Sequence, residues 1–239
     1  MADQFYDPVI YPVQSGFRLS DEQHHHAIRV SRMVVGDRFW LADGRGTRSE
    51  CVLTHASKKE AVAQVVSAAK VEPVWPCRLT VGIGLLKQPA RLDWVIEKLT
   101  EMQVHRIVAI ESSRTVKGNF RADRWEKLAV SAMNQSLGSW LPIIGFSHFE
   151  ELPSLTGSNP SAWIAHEKRL ESSENIRKVP VSEPEDIFVF FGPEGGWSEA
   201  DLAFGTSNGW RALYLGPTRL RTETAVLVAC SALFQQTIP

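Results

Sequence analysis

Two short stretches hold the residues best placed to do chemistry. FGPEGGWSEADL (residues 191–202) ends the apolar run IFVFF, and LGPTRLRTETA (residues 215–225) follows the apolar run ALY. A turn needs one glycine, whereas the first stretch carries Gly192, Gly195 and Gly196 around a proline and Glu194. Gly195 and Gly196 can adopt positive φ and present bare amides. Ser198 is a natural N-cap, so a helix beginning SEADLAFG aims its positive end at whatever occupies the loop. The second stretch repeats the device with Gly216 and adds Arg219 and Arg221 beside a cap-like Thr222. The chemistry this suits is recognition of a compact polar ligand by backbone groups. One glycine-rich connection alone is most simply an ordinary turn; two at neighbouring strand ends describe the rim of one pocket. Neither contains GxGxxG or GxxxxGKS/T, and Gly82-Ile83-Gly84 is half of the first fingerprint, so a dinucleotide or triphosphate site has no positive support.

Such loops need a scaffold that brings strand ends together. LTVGIGLL, RIVAIES, SAWIAHE, IFVFFG and ALYLG read as buried strands, while RLDWVIEKLTEM, ADRWEKLAVSAMNQSL and TETAVLVACSALFQQ carry apolar residues at helical spacing. The alternation predicts an α/β fold with a largely parallel sheet and ligand sites beyond the carboxyl ends of its strands. Residues 147–160 and 171–186 are polar and broken by Pro or Gly, and read as surface loops. Nearer the start, DRFWLAD, the turn pair Asp43-Gly44, RSECVLT and AVAQVV predict a small β-rich domain built on a hairpin. A helix over residues 21–33, capped by Ser20 or Asp21, precedes it. VEPVWPCR, with Pro73 and Pro76, interrupts both periodicities and places the break near Pro76, dividing the chain into domains of residues 1–74 and 75–239.

With 239 residues, 44% of them apolar, the chain can bury a sizeable core. A formal charge of −1 gives no bulk pull toward nucleic acid, so any such contact needs a local basic face. Cys51, Cys77 and Cys230 are odd in number and far apart, which argues against a disulfide framework and a cysteine-based zinc site. Nothing in the opening MADQFYDPVIYPV looks like a secretory signal, and no apolar run approaches the roughly 20 residues of a membrane span. A soluble protein of the reducing cytoplasm, with no membrane partner, is the expectation. His24 to His26 are consecutive and therefore poorly placed to converge on one ion, so no metal is expected.

Taken together, FGPEGGWSEADL and LGPTRLRTETA resemble the paired signatures of the RsmE family, the 16S ribosomal RNA uridine N3-methyltransferases of the SPOUT superfamily. LLKQPARLDWVIEKLTEMQVHRIVAIESSRTV resembles that family's first strand and helix with its ESERSV-like strand end, and RADRWEKLAVSAMNQS resembles its RWxKIxxEAxEQS helix. HHHAIRVSRMVVGDRFWLADGRG is similar to its amino-terminal PUA-like β-barrel, which starts HxxxVLRxxxGDxxxLxDGxG. Nearly the whole chain is covered. The resemblance implies a SPOUT-type α/β domain with a deep C-terminal trefoil knot, an exception to the rule that chains do not thread themselves. It also implies a PUA-like domain in front, a homodimer, small-subunit ribosomal RNA as partner and S-adenosyl-L-methionine as cofactor. The cofactor positions carried over are Gly192, Glu194, Gly195, Gly196, Leu215, Gly216, Leu220, Arg221, Glu223, Thr224 and Ala225, with Leu85 and His166 beside them.

Uracil N3 carries a proton and is a poor nucleophile until that proton leaves. Methylation there needs a base, or a cation that stabilises charge on O2 or O4. On this resemblance Arg221 is the candidate cation, and Glu194 or Glu223 accepts the proton or positions the cofactor. Each has an ordinary alternative: Glu223 suits the positive end of a helix, and Arg221 could be a salt-bridge partner. RNA contacts are expected from Arg29, Arg32, Lys87, Arg114, Arg121 and Gln135, among basic residues that also include Arg38, Arg45, Arg48, Arg91, Lys117 and Arg124. The histidine run is structural or faces RNA. Asn134 and residues 138–140 depart from the family pattern, as do Met102 and Gln103. Two alternatives stay open: a SPOUT methyltransferase acting on another RNA base or ribose, and a noncatalytic RNA-binding ribosome-assembly protein.

Overall fold

The computed structural model describes residues 3–116, 120–157, 161–170, 173–181 and 186–238, so Lys117 lies outside the described residues. The chain divides into two compact units, Met1–Pro73 with Val130–Leu141, and Val74–Ala129 with Pro142–Pro239.

In the first unit, β1 (Gln4–Tyr6), β2 (Gly16–Arg18), β3 (Arg38–Ala42), β4 (Thr47–Ala56) and β5 (Ala61–Lys70) form one sheet in the order β1-β3-β4-β5-β2. Only the β1–β3 pairing is parallel. Strand β4 alternates buried and half-buried side chains along most of its length, as a sheet with one covered face requires. Phe5 of β1 and Phe17 of β2 come from opposite ends of the strand order yet share one buried core with Phe39, Leu41 and Leu53. The sheet therefore curls around that core. Helix α1 (Asp21–His24) opens with a reciprocal cap between Ser20 and Gln23 and continues as a π-helical turn over His25–Val30.

The β3–β4 connection is a four-residue loop rather than the tight turn its DG pair suggests. Asp43 Oδ1 accepts hydrogen bonds from the backbone N–H groups of Arg45 and Thr47, both at 2.8 Å. Residues 138–141 dock on this loop: Gly46 N–H donates to the Ser139 carbonyl (2.8 Å) and Leu141 N–H to that of Gly44 (2.9 Å). Trp140 Nε1 donates to the Val71 carbonyl at 3.0 Å, and Gln4 Nε2 donates to that of Gly138 at 2.7 Å. The residues that depart from the family pattern at 138–140 thus hold the first unit together. The histidine run is partly anchored as well, with His24 Nε2 lying 3.0 Å from the Ser57 carbonyl oxygen and His26 edge-on to Phe5.

The second unit contains β6 (Arg78–Gly84), α2 (Pro89–Glu101), β7 (Arg106–Glu111), the start of α3 (Ala122–Ser136), β8 (Ile143–His148), α4 (Pro153–Thr156), β9 (Ser161–Ala165), β10 (Glu174–Asn175), β11 (Asp186–Phe191), α5 (Glu199–Ser207), β12 (Arg211–Tyr214) and α6 (Thr222–Phe234). Among the described residues its sheet has seven strands in the order β10-β12-β9-β11-β6-β7-β8, all parallel. Strands β6 and β11 sit side by side near the middle and are buried almost throughout, which is why both are continuous apolar runs. The chain runs outward from β6 to β8, crosses to β9, and later inserts β11 between β9 and β6. That reversal brings loops from distant parts of the sequence to one edge of the sheet.

Two expected loops contain structure. Residues 147–157 include the end of strand β8, then a 3-10 turn and α4, and Phe149 and Leu152 are fully buried beside Trp197 and Trp210. The polar residues there are spacers between apolar anchors; residues 158–160 lie outside the described set. Residues 174–178 form β10 and a 3-10 turn, fixed by Trp163 Nε1 donating to Glu174 at 2.8 Å and by Arg211 stacked on the same indole. Residues 171–172 and 182–185 of that stretch are outside the described set. Cys51, Cys77 and Cys230 are buried thiols whose burial pushes their pKa up to about 12, 11 and 12. Among the described residues no helix is long and apolar enough to cross a membrane, and no group of His, Cys, Asp and Glu could hold a metal ion.

Candidate active site

Loops at the carboxyl ends of β9, β11 and β12 surround a cavity of about 820 Å³, within the range of small-molecule sites. Its lining includes His166, Gly192, Glu194, Gly195, Gly196, Leu215, Gly216, Leu220, Arg221 and Ala225, together with Arg114 from the loop after β7. Leu85 is elsewhere, buried immediately beyond β6 with 2% exposure. Glu223 and Thr224 lie in the first turn of α6 and are not part of the lining.

Backbone geometry explains the glycines. Gly196 has φ +65° and Gly216 φ +137°, and a Cβ built on either would meet no atom within 4 Å. Bare main chain therefore faces open space from both loops. Beneath them Gly84, at the end of β6, is pressed so closely on the loop that a Cβ would sit 2.3 Å from the Pro193 nitrogen.

Hydrogen bonds at the helix starts fix the loops. Ser198 caps α5 as expected: its Oγ accepts from Asp201 N–H (3.0 Å) while its own N–H donates to Asp201 Oδ2 (2.8 Å). Thr222, expected as a cap, is not one. Arg221 holds the N-cap position of α6 without a side-chain cap, and Thr222 Oγ1 instead donates to the Gly192 carbonyl at 2.9 Å, tying the two glycine loops together. Arg114 Nη1 adds a bond to the Gly195 carbonyl at 2.9 Å.

One guanidinium joins both acidic residues. Arg91, in the first turn of α2, donates from Nε to Glu223 Oε1 at 2.8 Å and from Nη2 to Glu223 Oε2 through a second short bond. Its Nη1 reaches Glu194 Oε1 at 3.2 Å, and the same oxygen accepts the Lys87 backbone N–H at 3.0 Å. Side-chain exposure is 20% for Arg91, 13% for Glu223 and 31% for Glu194. Burial raises the pKa of Glu223, but the hydrogen bonds and charge of Arg91, a backbone bond and the charge of Arg221 outweigh it and hold the carboxyl below its ordinary value. The Arg91 guanidinium is shifted upward, chiefly by its hydrogen bonds to Glu223. Arg221 is exposed at the cavity and has no ion pair or side-chain hydrogen bond to another described residue. Arg219, farther out, pairs with Glu167 at 2.9 Å.

Residues 73–234 match the family described as the RNA methyltransferase domain, and residues 19–66 the family described as the RNA methyltransferase PUA domain. The ribosomal RNA small subunit methyltransferase E of Bacillus subtilis (strain 168) is 30% identical over 232 residues, spanning 92% of this chain and 90% of that protein. The chain belongs to the RsmE family of RNA methyltransferases. Solved family members share the architecture. A ribosomal RNA small subunit methyltransferase E from Neisseria gonorrhoeae, bound to S-adenosyl methionine, superposes with TM-score 0.86 at 26% identity, over 99% of this chain and 98% of that one. A probable rRNA-methyltransferase from Porphyromonas gingivalis gives TM-score 0.85 at 32% identity, over 98% and 97%.

Within this RsmE-family fold, the residues expected to meet RNA are distributed over both units. Arg29, Arg32 and Gln135 are exposed on the first, and Lys87, Arg114 and Arg121 on the second. Lys87 contributes its main chain to the site, and Arg114 its side chain to the cavity wall. Arg124 is engaged elsewhere, in a two-pronged pair with Asp93. Sequence reasoning named Arg91 only as one basic residue among many. Its partners lie 103 and 132 residues away, so no local pattern marks it.

Proposed function

We propose that this enzyme transfers the methyl group of S-adenosyl-L-methionine to N3 of a uridine in the 16S ribosomal RNA of the small subunit. The observation that carries the reading is the cavity itself: main chain of Gly196 and Gly216 bare toward open space, and at its edge a cation, Arg221, that makes no ion pair or side-chain hydrogen bond to a described residue. The cofactor fits this wall because backbone N–H and C=O groups of residues 192–196 and 215–221 can reach its adenine and ribose with no side chain intervening. His166, Leu220 and Ala225 complete the lining. The RsmE-family relative from Neisseria gonorrhoeae, bound to S-adenosyl methionine, supports the choice of cofactor.

When bound, S-adenosyl-L-methionine supplies a methyl group on a sulfonium, an electrophile whose sulfur leaves as a neutral thioether. Arg221 stabilises the negative charge that spreads onto O2 or O4 as the N3 proton departs. Glu194 and Glu223 position the loops. Residues 1–74 serve as the PUA-like RNA-binding domain and 75–239 as the catalytic domain, with α6 and the loops around the cavity forming a deep trefoil knot. Two copies associate: α6 is apolar on nearly every side, and Val228 on it and Trp94 on α2 stay about 40% exposed, surface that a second copy would cover. A ribosomal substrate places the enzyme in the cytoplasm.

The test is methyl transfer from labelled S-adenosyl-L-methionine to small subunits lacking their native methylations, followed by nucleoside analysis. Wild type should yield 3-methyluridine, and Arg221→Ala should lower the yield at least a hundredfold while still binding cofactor. A different methylated nucleoside would move the assignment to another RNA base or ribose. Transfer undiminished in the variant would remove Arg221 from the chemistry.

A further inference from the structure

We propose that Arg91 is a positioning residue for methyl transfer, holding Glu194 and Glu223 as anchors of the cavity wall and thereby withholding Glu223 from proton acceptance. The inference rests on the function proposed above and assigns a role to a side chain outside the two glycine loops.

Geometry supports it first. Arg91 stands in the first turn of α2, Glu194 in the loop after β11, and Glu223 in the first turn of α6. No backbone hydrogen bond within one element can fix three such segments together. Arg91 does so with three nitrogen donors on two carboxylates, the fork-to-carboxylate arrangement that only arginine provides. The Lys87 N–H adds a bond to the same Glu194 oxygen, so the segment between β6 and α2 and the first turn of α2 both hold the loop there. Since Gly196 lies two residues beyond Glu194 and Arg221 two before Glu223, the clamp determines where bare backbone and free cation stand relative to each other.

Chemistry supports it second. A proton acceptor for a ring N–H needs an available lone pair and a basicity near the working pH. Both Glu223 oxygens already accept from Arg91, and Glu194 Oε1 accepts twice. The charged groups facing Glu223 are Arg91 from α2 and Arg221 from its own loop, with Glu194 on the far side of the same guanidinium. Those two cations hold Glu223 ionised against its burial, which makes it a weaker base. The N3 proton then goes to solvent as the methyl–sulfur bond breaks and the methyl–nitrogen bond forms. Arg221 stabilises the ring charge in between.

Calorimetric titration with S-adenosyl-L-methionine on wild type, Arg91→Ala, Arg91→Lys and Glu223→Gln tests the clamp without any RNA. Cofactor affinity should fall at least tenfold in Arg91→Ala and by an intermediate factor in Arg91→Lys, which keeps a charge but loses the fork. If Arg91→Ala does not fold, the lysine variant, compared at a temperature where its circular dichroism matches wild type, carries the test. Rates with saturating cofactor across pH then separate anchor from base. Glu223→Gln, which weakens the same clamp from its other side, should lower cofactor affinity by an intermediate factor and, at saturating cofactor, keep the shape of the wild-type pH profile. Wild-type affinity in both Arg91 variants would overturn the positioning role; loss of kcat and of a carboxylate limb in Glu223→Gln at unchanged affinity would make Glu223 the base. Should wild type bind cofactor with the predicted ranking yet make no 3-methyluridine, the clamp stands and the uridine assignment falls.

Discussion

The cavity carries two arginine–carboxylate pairs, and they differ in almost everything except chemistry. On the inner side Arg91 is 20% exposed and makes three bonds to two carboxylates; on the outer side Arg219 is 78% exposed and makes one contact to Glu167, itself 46% exposed. Both link residues distant in sequence. Only the inner pair is shielded enough from water, and constrained enough in orientation, for its attraction to exceed the entropy of holding long side chains still. The outer pair sits at full dielectric and gains little. The inner wall of the site is therefore set by side chains, and the outer wall by backbone conformation.

The largest effect that would break this contrast is on stability. Arg91→Ala should lower the unfolding free energy in denaturant by about 2 kcal/mol, the scale of hydrogen bonds to charged groups when partners are left unpaired. A loss below about 0.5 kcal/mol would put the inner pair in the same class as the outer one. Next comes the backbone of the outer wall. Gly216 lies in the loop that carries Arg219, at φ +137°, so Gly216→Ala should cost about 1 kcal/mol through strain alone and direct a methyl group into the cavity, weakening cofactor binding. A smaller effect is expected from pH. Because Glu223 is held below its ordinary value, the stability it contributes is complete above the ordinary carboxylate range and lost as pH falls through the lowered value, while Arg91 and Arg221 stay charged. Wild-type stability should then drop more steeply with acid than that of Glu223→Gln, measured by thermal melts from neutral pH downward. The smallest effect is Arg219→Ala, within about 0.5 kcal/mol and unchanged by added salt, since there is little electrostatic stabilisation to screen.

The same contrast explains what the sequence revealed. Periodicity located the central strands β6, β7, β9, β11 and β12 and the helices α2, α3 and α6, because each is apolar enough to announce its burial. The Ser198 cap was equally legible, being a local pattern. Strand β8 was missed because IIGFSH lies at a sheet edge with Ile143 and Phe146 half exposed, and β10 because two residues carry no periodicity. Three-residue strands β1 and β2 escaped for the same reason. Thr222 looked like a cap because its type and place suit one, and only tertiary structure shows its hydroxyl turned to Gly192. At the site, glycines that need positive φ could be named from the chain; Arg91 could not, since an arginine in a helix has many uses and its partners are set by topology.

A crystal structure of the protein with S-adenosyl-L-methionine tests the central claim most directly. Cofactor should lie in the 820 Å³ cavity, its adenine and ribose bonded to main chain of residues 192–196 and 215–221, with the Arg91 bonds to Glu194 and Glu223 intact and its methyl group open toward Arg221. Cofactor bound outside this cavity, or bound within it with Arg91 released from both carboxylates, would contradict the account.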